Sequence, residues 1–364
     1  MQVVILVGGE GTRLRPLTCN TPKAIVPILN RPFLEHLLLY LKGHGVTDVI
    51  LAMGYLPNLV QGCLGDGSRL GMRITYVTEK SPLGTAGAVK HAEPFIDGPF
   101  IVLNGDIITE IDLTDMIKQH QTIKPKVSLA LTPVEDPTAF GVVDTDARNI
   151  VKRFLEKPSR DKVTSNMINA GIYILEAEVL TLIPDSTRFM FEHDVFPTLI
   201  ERGDPILGYP SDAYWIDIGT SEKYLEVNHH LLQRWDNGGV RIEGKSQIHP
   251  TAHIEGPVLI GDGCVISARA IIKGPAVLGP QCRIGRDTII DGVVLWQGVE
   301  VLEGAVLDNC VAGFNSRIQG NCHIGEECIL GDYVNIDSES QLTQGTRVWP
   351  DNYPDPDAIK SGQS

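Results

Sequence analysis

The sequence predicts an α/β chain in two parts, a mostly parallel sheet covered by helices and then a parallel β-helix of hexapeptide repeats. Three observations carry that prediction. Short apolar runs alternate with helical stretches in the first two thirds, aliphatic residues recur six apart in the last third, and a glycine-rich turn directly follows the first apolar run.

In the first part the apolar runs are Val3 to Val7, Val49 to Met53, Ile74 to Val77, Phe100 to Leu103 and Val127 to Leu131, and Phe33 to Leu41 reads as helical. Strands joined by helices form a sheet whose ligands bind in the crevice at the strands' carboxyl ends. Ser221 to Trp235 reads as a closing helix, and Asn237-Gly238-Gly239 as the break before the repeats. The expected domains are 1–236 and 245–350, with a polar tail over 351–364.

The repeat frame runs Ile248, Ile254, Ile260, Ile266, Ile272, Leu278, Ile284 and Ile290, steps to Leu295, Val301 and Leu307, and resumes at Ala312, Ile318, Ile324, Leu330, Ile336, Leu342 and Val348. Three hexads make a triangular coil of about 18 residues, so five or six coils should stack their aliphatic layers. Glycine follows the aliphatic site at Gly261, Gly279, Gly285, Gly325 and Gly331, where a Cβ would obstruct a sharp corner. Cys264, Cys282, Cys310, Cys322 and Cys328 fall two residues before an aliphatic site, in a slot shared with Ala, Ser and Thr. They read as small buried side chains, not as zinc ligands or disulfide partners.

Composition narrows the function. With 43% hydrophobic residues in 364, the chain can bury ordinary globular cores. Its formal charge of −14 has the wrong sign for holding nucleic-acid phosphates by counterion release. No apolar run is long enough to span a bilayer, and Met1-Gln2-Val3-Val4 enters a strand without a basic leader. The expectation is a cytoplasmic protein that binds neither nucleic acid nor membrane.

The first strand ends in Gly8-Gly9-Glu10-Gly11-Thr12-Arg13, where backbone N–H groups can close around a phosphate chain while Arg13 and Lys23 add positive charge. Leu14 stands where a dinucleotide fingerprint needs glycine. A formal Walker A match at Gly239 to Ser246 is set aside, because Val240 and Ile242 alternate like a strand and repeats follow where a helix is required. The strand Phe100 to Leu103 delivers Asn104-Gly105-Asp106 to the sheet edge, and Tyr214-Trp215-Ile216-Asp217 delivers a second carboxylate. Two acids beside a phosphate loop suit Mg²⁺, which takes few protein carboxylates and completes its shell with water and substrate phosphates.

Together with Pro82-Leu83-Gly84-Thr85-Ala86-Gly87, Phe154-Leu155-Glu156-Lys157-Pro158, Asn169-Ala170-Gly171-Ile172-Tyr173 and the terminal repeats, these segments resemble the sugar-1-phosphate nucleotidyltransferases, or sugar-nucleotide pyrophosphorylases. Within that family the resemblance points to the mannose-1-phosphate guanylyltransferase branch, and it covers nearly the whole chain. It implies a Rossmann-like nucleotidyltransferase domain followed by a left-handed β-helix. By resemblance, Leu6, Gly8, Gly9, Gly11 and Thr12, with Gly84, Thr85 and Ala86, bind the nucleotide. Arg13 would take the β- and γ-phosphates, Lys23 the reacting phosphates, and Asp106 and Asp217 the Mg²⁺ ion. Lys157 would grip the sugar phosphate, while Gly141, Glu156, Asn169 and Gly171 read sugar hydroxyls, with Glu192 near the sugar. The implied reaction joins an NTP to a sugar 1-phosphate and releases pyrophosphate, with GTP and mannose 1-phosphate the favoured pair. It needs no general base, because the attacking phosphate is already ionised above its second pKa of about 6.

Three alternatives stay open. Glucose 1-phosphate with dTTP or UTP is one, since members of the family share their phosphate and metal motifs. A hexapeptide acyltransferase would use a coil-junction histidine such as His249, His253 or His323, but the frame has no long inserted loop to shape an acyl-carrier pocket. A regulatory subunit that only binds sugar nucleotide is the non-enzymatic alternative. The flat, repetitive β-helix is expected to assemble homo-oligomers rather than to host a second active site.

Overall fold

Runs of Val, Ile and Leu with no polar face suit inner strands, and four of the five runs lie inside the sheet, with Ile74 to Val77 at its edge. The computed structural model describes residues 1–234 and 238–351. Asn237, Trp235 and the tail from residue 352 lie outside the described residues. Packing groups Met1–Gly9 with Leu34–Asp217 in one unit, and Glu10–Phe33 with the chain from Ile218 onward in a second. In chain order the first elements are β1 (Gln2–Val7), β2 (Pro27–Ile28), β3 (Arg31–Pro32), α1 (Phe33–Gly43), β4 (Asp48–Met53), α2 (Pro57–Leu64), β5 (Arg73–Thr78) and α3 (Gly84–His91). There follow β6 (Phe100–Asn104), β7 (Ile107–Thr109), α4 (Leu113–Ile123), β8 (Val127–Pro133), β9 (Gly141–Thr145), β10 (Val151–Glu156), β11 (Met167–Leu175), α5 (Phe196–Arg202), β12 (Ile206–Pro210), β13 (Trp215–Asp217) and α6 (Ser221–Gln233).

In the first unit nine strands share one sheet. β6, β1, β4 and β5 lie side by side in parallel, and β12 runs parallel to β8. β11 runs against β6, β8 and β9, and β10 against β9. Those pairings leave seven strands in one direction and only β10 and β11 reversed, the mostly parallel sheet that strand–helix alternation predicts. Its core joins Val4, Val102, Leu129 and Tyr173 to Phe191 and Phe196, whose rings stack at 5.6 Å. Each such side chain contributes about 1.5–3 kcal/mol on full burial.

In the second unit three parallel sheets of seven, six and six very short strands form the β-helix. The register turns the hexad frame into three columns. Ile248, Ile266, Ile284, Val301, Ile318 and Ile336 stack in one. Ile254, Ile272, Ile290, Leu307, Ile324 and Leu342 form the next. Ile260, Leu278, Leu295, Ala312, Leu330 and Val348 form the third. Six complete coils result, the upper end of the expectation. Val240–Ile242 heads the third column as a strand paired with Val258–Ile260, so the formal Walker A match forms no phosphate loop.

Two packing details give the repeat its composition. At the Gly279 corner a Cβ would sit 2.5 Å from the backbone nitrogen of Gln297 on the next coil, and Gly261 meets Pro280 in the same way. The small-residue slot is also a donor position. Cys264 Sγ donates to Gly279 O (3.1 Å), Cys328 Sγ to Thr343 O (3.1 Å) and Ser316 Oγ to Gly331 O (2.7 Å). Cysteine and serine share the slot with alanine and threonine, and at these positions they also satisfy a buried corner carbonyl.

The segment Glu10–Phe33 and α6 pack within this second unit. Trp296 donates Nε1–H to the Tyr224 hydroxyl (2.8 Å), which itself donates to Pro27 O. Leu29 N donates to Asn228 Oδ1 (3.0 Å), and Asn30 Nδ2 to Leu278 O (3.1 Å). Asp332, only 2% exposed, accepts from Phe314 N (2.9 Å) and from the Asn20 side chain, yet burial pushes its carboxyl up to about 6.

Replacing Gly279 by alanine is expected to cost about 1–3 kcal/mol, because rigid backbone must move away from the new methyl; urea denaturation measures it. For Asp332 the folded pKa lies above the unfolded one. The charged form is therefore penalised in the native state, the penalty being absent below pH 4 and complete above about pH 6. Asp332→Asn keeps an acceptor for Phe314 N, so the variant should exceed the wild type in melting temperature at pH 7.5, with the gap closing near pH 4.5. A gap that does not change with pH would remove the buried carboxylate as its cause.

Candidate active site

Parallel pairing sets Leu6 of β1 opposite Asn104 of β6. Just beyond, Gly105 N donates to Leu6 O at 2.9 Å, and a Cβ on Gly105 would lie 2.6 Å from that oxygen. Only glycine lets the Asn104-Gly105-Asp106 turn close on β1. On the other side of β6, β11 breaks register between Asn169 and Tyr173. Gly171 takes φ +73° in the break, with the Asn104 amide nitrogen 2.6 Å from where its Cβ would be. Asn169 Oδ1 closes the irregularity by accepting from Gly171 N (3.0 Å), and Trp215 Nε1 donates to Ala170 O (2.8 Å).

β13 pairs antiparallel with β7, placing Asp217 opposite Ile107, the residue after Asp106. The two aspartates thus stand at neighbouring backbone positions on separate strand ends. Among the described residues no group of three or more His, Cys, Asp or Glu is gathered to hold a metal. Two carboxylates alone do not suit Ca²⁺, which wants six to eight oxygens; they fit Mg²⁺ sharing its shell with water and substrate phosphates.

A half-buried hydrogen-bond chain links the expected nucleotide and sugar segments. Thr85 Oγ1 donates to Glu192 Oε2 (2.8 Å) and accepts from Phe191 N (3.0 Å). The Tyr173 hydroxyl donates to Glu192 Oε1 (3.3 Å) and accepts from Asn169 Nδ2 (2.8 Å). Burial raises the Glu192 carboxyl above the usual range, while the Thr85 hydroxyl pulls the other way. Burial, with the neighbouring Glu192 charge, lifts the Tyr173 phenol well above its ordinary value, so it stays a donor.

Glu156 faces Gly141 across β10 and β9, with Oε2 2.9 Å from where a Gly141 Cβ would be. Lys157 is exposed, has φ +45°, donates its N–H to Phe140 O (2.9 Å) and lies 3.4 Å from Glu156 Oε1 through Nζ. Gly84, at φ +75°, lies against Phe189 O, and Ala86 gives its N–H to the same carbonyl while its side chain is fully buried. Ala86 therefore shapes the turn by packing. Sequence reading passed over Glu79, whose Oε2 accepts from Leu83 N (3.0 Å) and whose Oε1 lies 3.3 Å from the Cβ position of Gly8. Its place at the end of β5, after an apolar run, was the available signal.

The remaining expected residues lie in Glu10–Phe33. Gly11 is left-handed at φ +65°, its carbonyl accepting from Leu14 N (2.9 Å) and Thr18 Oγ1 (2.7 Å). Thr12 and Arg13 are exposed on the short 3₁₀ turn Thr12–Leu14. Lys23 opens the turn Lys23–Ile25, and its Cβ is 3.0 Å from the Cβ position of Gly11, so these two expected phosphate contacts are neighbours.

Comparison with known proteins bears on what such a site does. The Nucleotidyl transferase family model matches residues 2–234, and the model described as EIF2B subunit epsilon LbH domain matches residues 238–342, identifying the coil as a left-handed β-helix. The chain is 38% identical to the mannose-1-phosphate guanylyltransferase of Mycobacterium tuberculosis over 96% of its own length and 94% of the relative. It is 33% identical to the UTP–glucose-1-phosphate uridylyltransferase of Synechocystis over 74% of its length and 81% of that protein. Among solved structures, HddC from Yersinia pseudotuberculosis complexed with GMP-PN superposes with a TM-score of 0.55 and 31% identity, over 63% of this chain and 99% of that one.

The Thr85 hydroxyl serves a buried carboxyl and a backbone N–H together, so Thr85→Ala should cost about 2–3 kcal/mol in chemical denaturation, whereas Thr85→Ser should cost under about 1 kcal/mol.

Proposed function

Because the chain belongs to the nucleotidyl transferase family, we propose that it transfers a nucleotidyl group from an NTP to a sugar 1-phosphate, with GTP and mannose 1-phosphate as its pair. The observation that carries this is the meeting, in one unit, of the Asp106 and Asp217 strand ends with a Thr85–Glu192–Tyr173–Asn169 chain that ties a nucleotide segment to a sugar segment. The uridylyltransferase relative makes UTP with glucose 1-phosphate the reading to beat.

In the reaction an oxygen of the sugar 1-phosphate attacks the α-phosphorus in line. A new P–O bond forms, the bond from that phosphorus to the bridging oxygen breaks, and pyrophosphate leaves with the electron pair. Leu6, Gly8 and Gly9 with Gly84 and Thr85 line the base and ribose, Thr85 held by its Glu192 contact, and buried Ala86 packs behind them. Backbone at Gly11 and Thr12 with the Arg13 guanidinium takes the β- and γ-phosphates, and Lys23, beside Gly11, takes the reacting phosphates. Lys157 holds the sugar phosphate, and Glu156, Asn169 and backbone at Gly141 and Gly171 hold the sugar. Asp106 and Asp217 would hold Mg²⁺, which would supply positive charge to offset that of the nucleotide phosphates. Positioning two polyanions and offsetting their repulsion is most of the catalysis, so no side-chain base is assigned.

The division by activity is 1–236 for nucleotidyl transfer and 245–350 for the β-helix, through which we place homo-oligomer assembly in the cytoplasm. No helix among the described residues is long and apolar enough to cross a membrane.

Pyrophosphate release with Mg²⁺ over GTP, dTTP, UTP, CTP and ATP against mannose 1-phosphate and glucose 1-phosphate tests the reading. GTP with mannose 1-phosphate should dominate, and Asp106→Asn should lower kcat by at least about 100-fold. Dominance of UTP or dTTP with glucose 1-phosphate reassigns the substrates; silence of every pair sinks the enzymatic reading.

A further inference from the structure

Resting on the phosphate-binding role proposed for Arg13, we propose that Arg347, on the last strand of the β-helix, is a positioning residue for the NTP-phosphate loop. Its Nη1 donates to Arg15 O at 2.7 Å and to Arg13 O at 3.4 Å, and its Nη2 to Ser221 Oγ at 3.3 Å. The loop's own turns use other carbonyls, those of Gly11, Thr12, Leu14 and Pro16. The guanidinium therefore takes two acceptors that alternate with the turn's own and draws them to one point, fixing the Arg13–Leu14 and Arg15–Pro16 peptide planes on either side of the Leu14–Arg15 dipeptide. Holding the Arg13 carbonyl restricts the backbone at Arg13 itself, and so the direction in which its side chain leaves the loop. A planar fork suits this task, because it supplies several donors at fixed angles, whereas an ammonium has one nitrogen for all of them.

The rest of the loop is seated on the same end of the β-helix by different means. A Cβ on Gly331 would lie 3.2 Å from Pro16 Cβ, and the Asn20 side chain bonds to buried Asp332. Arg347 holds the stretch between the glycines and these anchors, which is the stretch that carries Arg13. The β-helix thus has a share in nucleotide binding without contributing a group that touches the nucleotide.

The test compares Arg347→Met and Arg347→Lys with the wild-type full chain in two independent readouts. In steady-state kinetics, Arg347→Met should raise KM for the NTP about tenfold while KM for the sugar phosphate stays within about twofold, and Arg347→Lys should fall between it and the wild type. In limited trypsinolysis followed by mass, cleavage at the Arg13–Leu14 bond should accelerate about tenfold in Arg347→Met, with the melting temperature within about 2 °C of the wild type. If the wild type proves inactive on every substrate pair, the functional reading fails while faster cleavage still supports the loop-holding role. Unchanged NTP KM with unchanged cleavage overturns the proposal. An equal rise in both KM values together with a lowered melting temperature also overturns it, as the mark of a merely structural residue.

Discussion

Backbone stacked directly on backbone, at a step of six residues per side shortened to five at Ile290–Leu295 and Leu307–Ala312, is the constraint on which the second unit rests. Each coil must lie on the next with no room at the corners, which is why a methyl at Gly279 would collide with Gln297. The same closeness forces the three aliphatic columns into register and brings corner carbonyls within reach of small donors such as Cys264, Ser316 and Cys328. Composition follows from the step. So does the regular surface, whose carbonyls and N–H groups recur at constant spacing and give Glu10–Phe33 its anchors at Leu278 O and, through Asp332, at Phe314 N.

The first unit solves a related problem with two glycines. Gly105 lets a turn close on Leu6, and Gly171 lets Asn104 fill a break in the middle of β11, so the end of β6 fits against both neighbours. A buried carboxyl at Glu192 then spans the site. Burying a carboxylate is costly unless its oxygens are satisfied. Thr85 and Tyr173 supply the two donors, and the cost is offset only in the one arrangement that also fixes Asn169. The network specifies geometry more than it adds stability, which suits a site whose work is holding two anionic substrates in line.

Much of this was legible beforehand. The frame from Ile248 to Val348 predicted every column of the β-helix, because a repeat that must stack writes its period into the sequence. Strand positions from Val3 to Leu131 were equally plain, as inner strands tolerate few polar residues. The candidate site stood out as motifs, and two of its glycines, Gly105 against Leu6 O and Gly171 against Asn104, have no room for a Cβ. Glu79 and the Glu192–Tyr173 contact were not legible, since an acid after a strand or on a short helix looks the same whether solvated or buried. Asp332 and Arg347 were hidden for the same reason, each lying in a hexad like its neighbours.

By itself the sequence determined the periods, the backbone positions that only glycine can occupy, and the family the chain belongs to, all of which are properties of residues close along the chain or recurring at a fixed interval. The tertiary structure alone decided which carboxyls are buried, which hydroxyl meets which acid, and that Arg13 and Arg15 share a donor more than 300 residues away. Those depend on distances between segments that no local pattern encodes, because pairing energies of this kind arise only after the strands and coils have brought the groups together and excluded water.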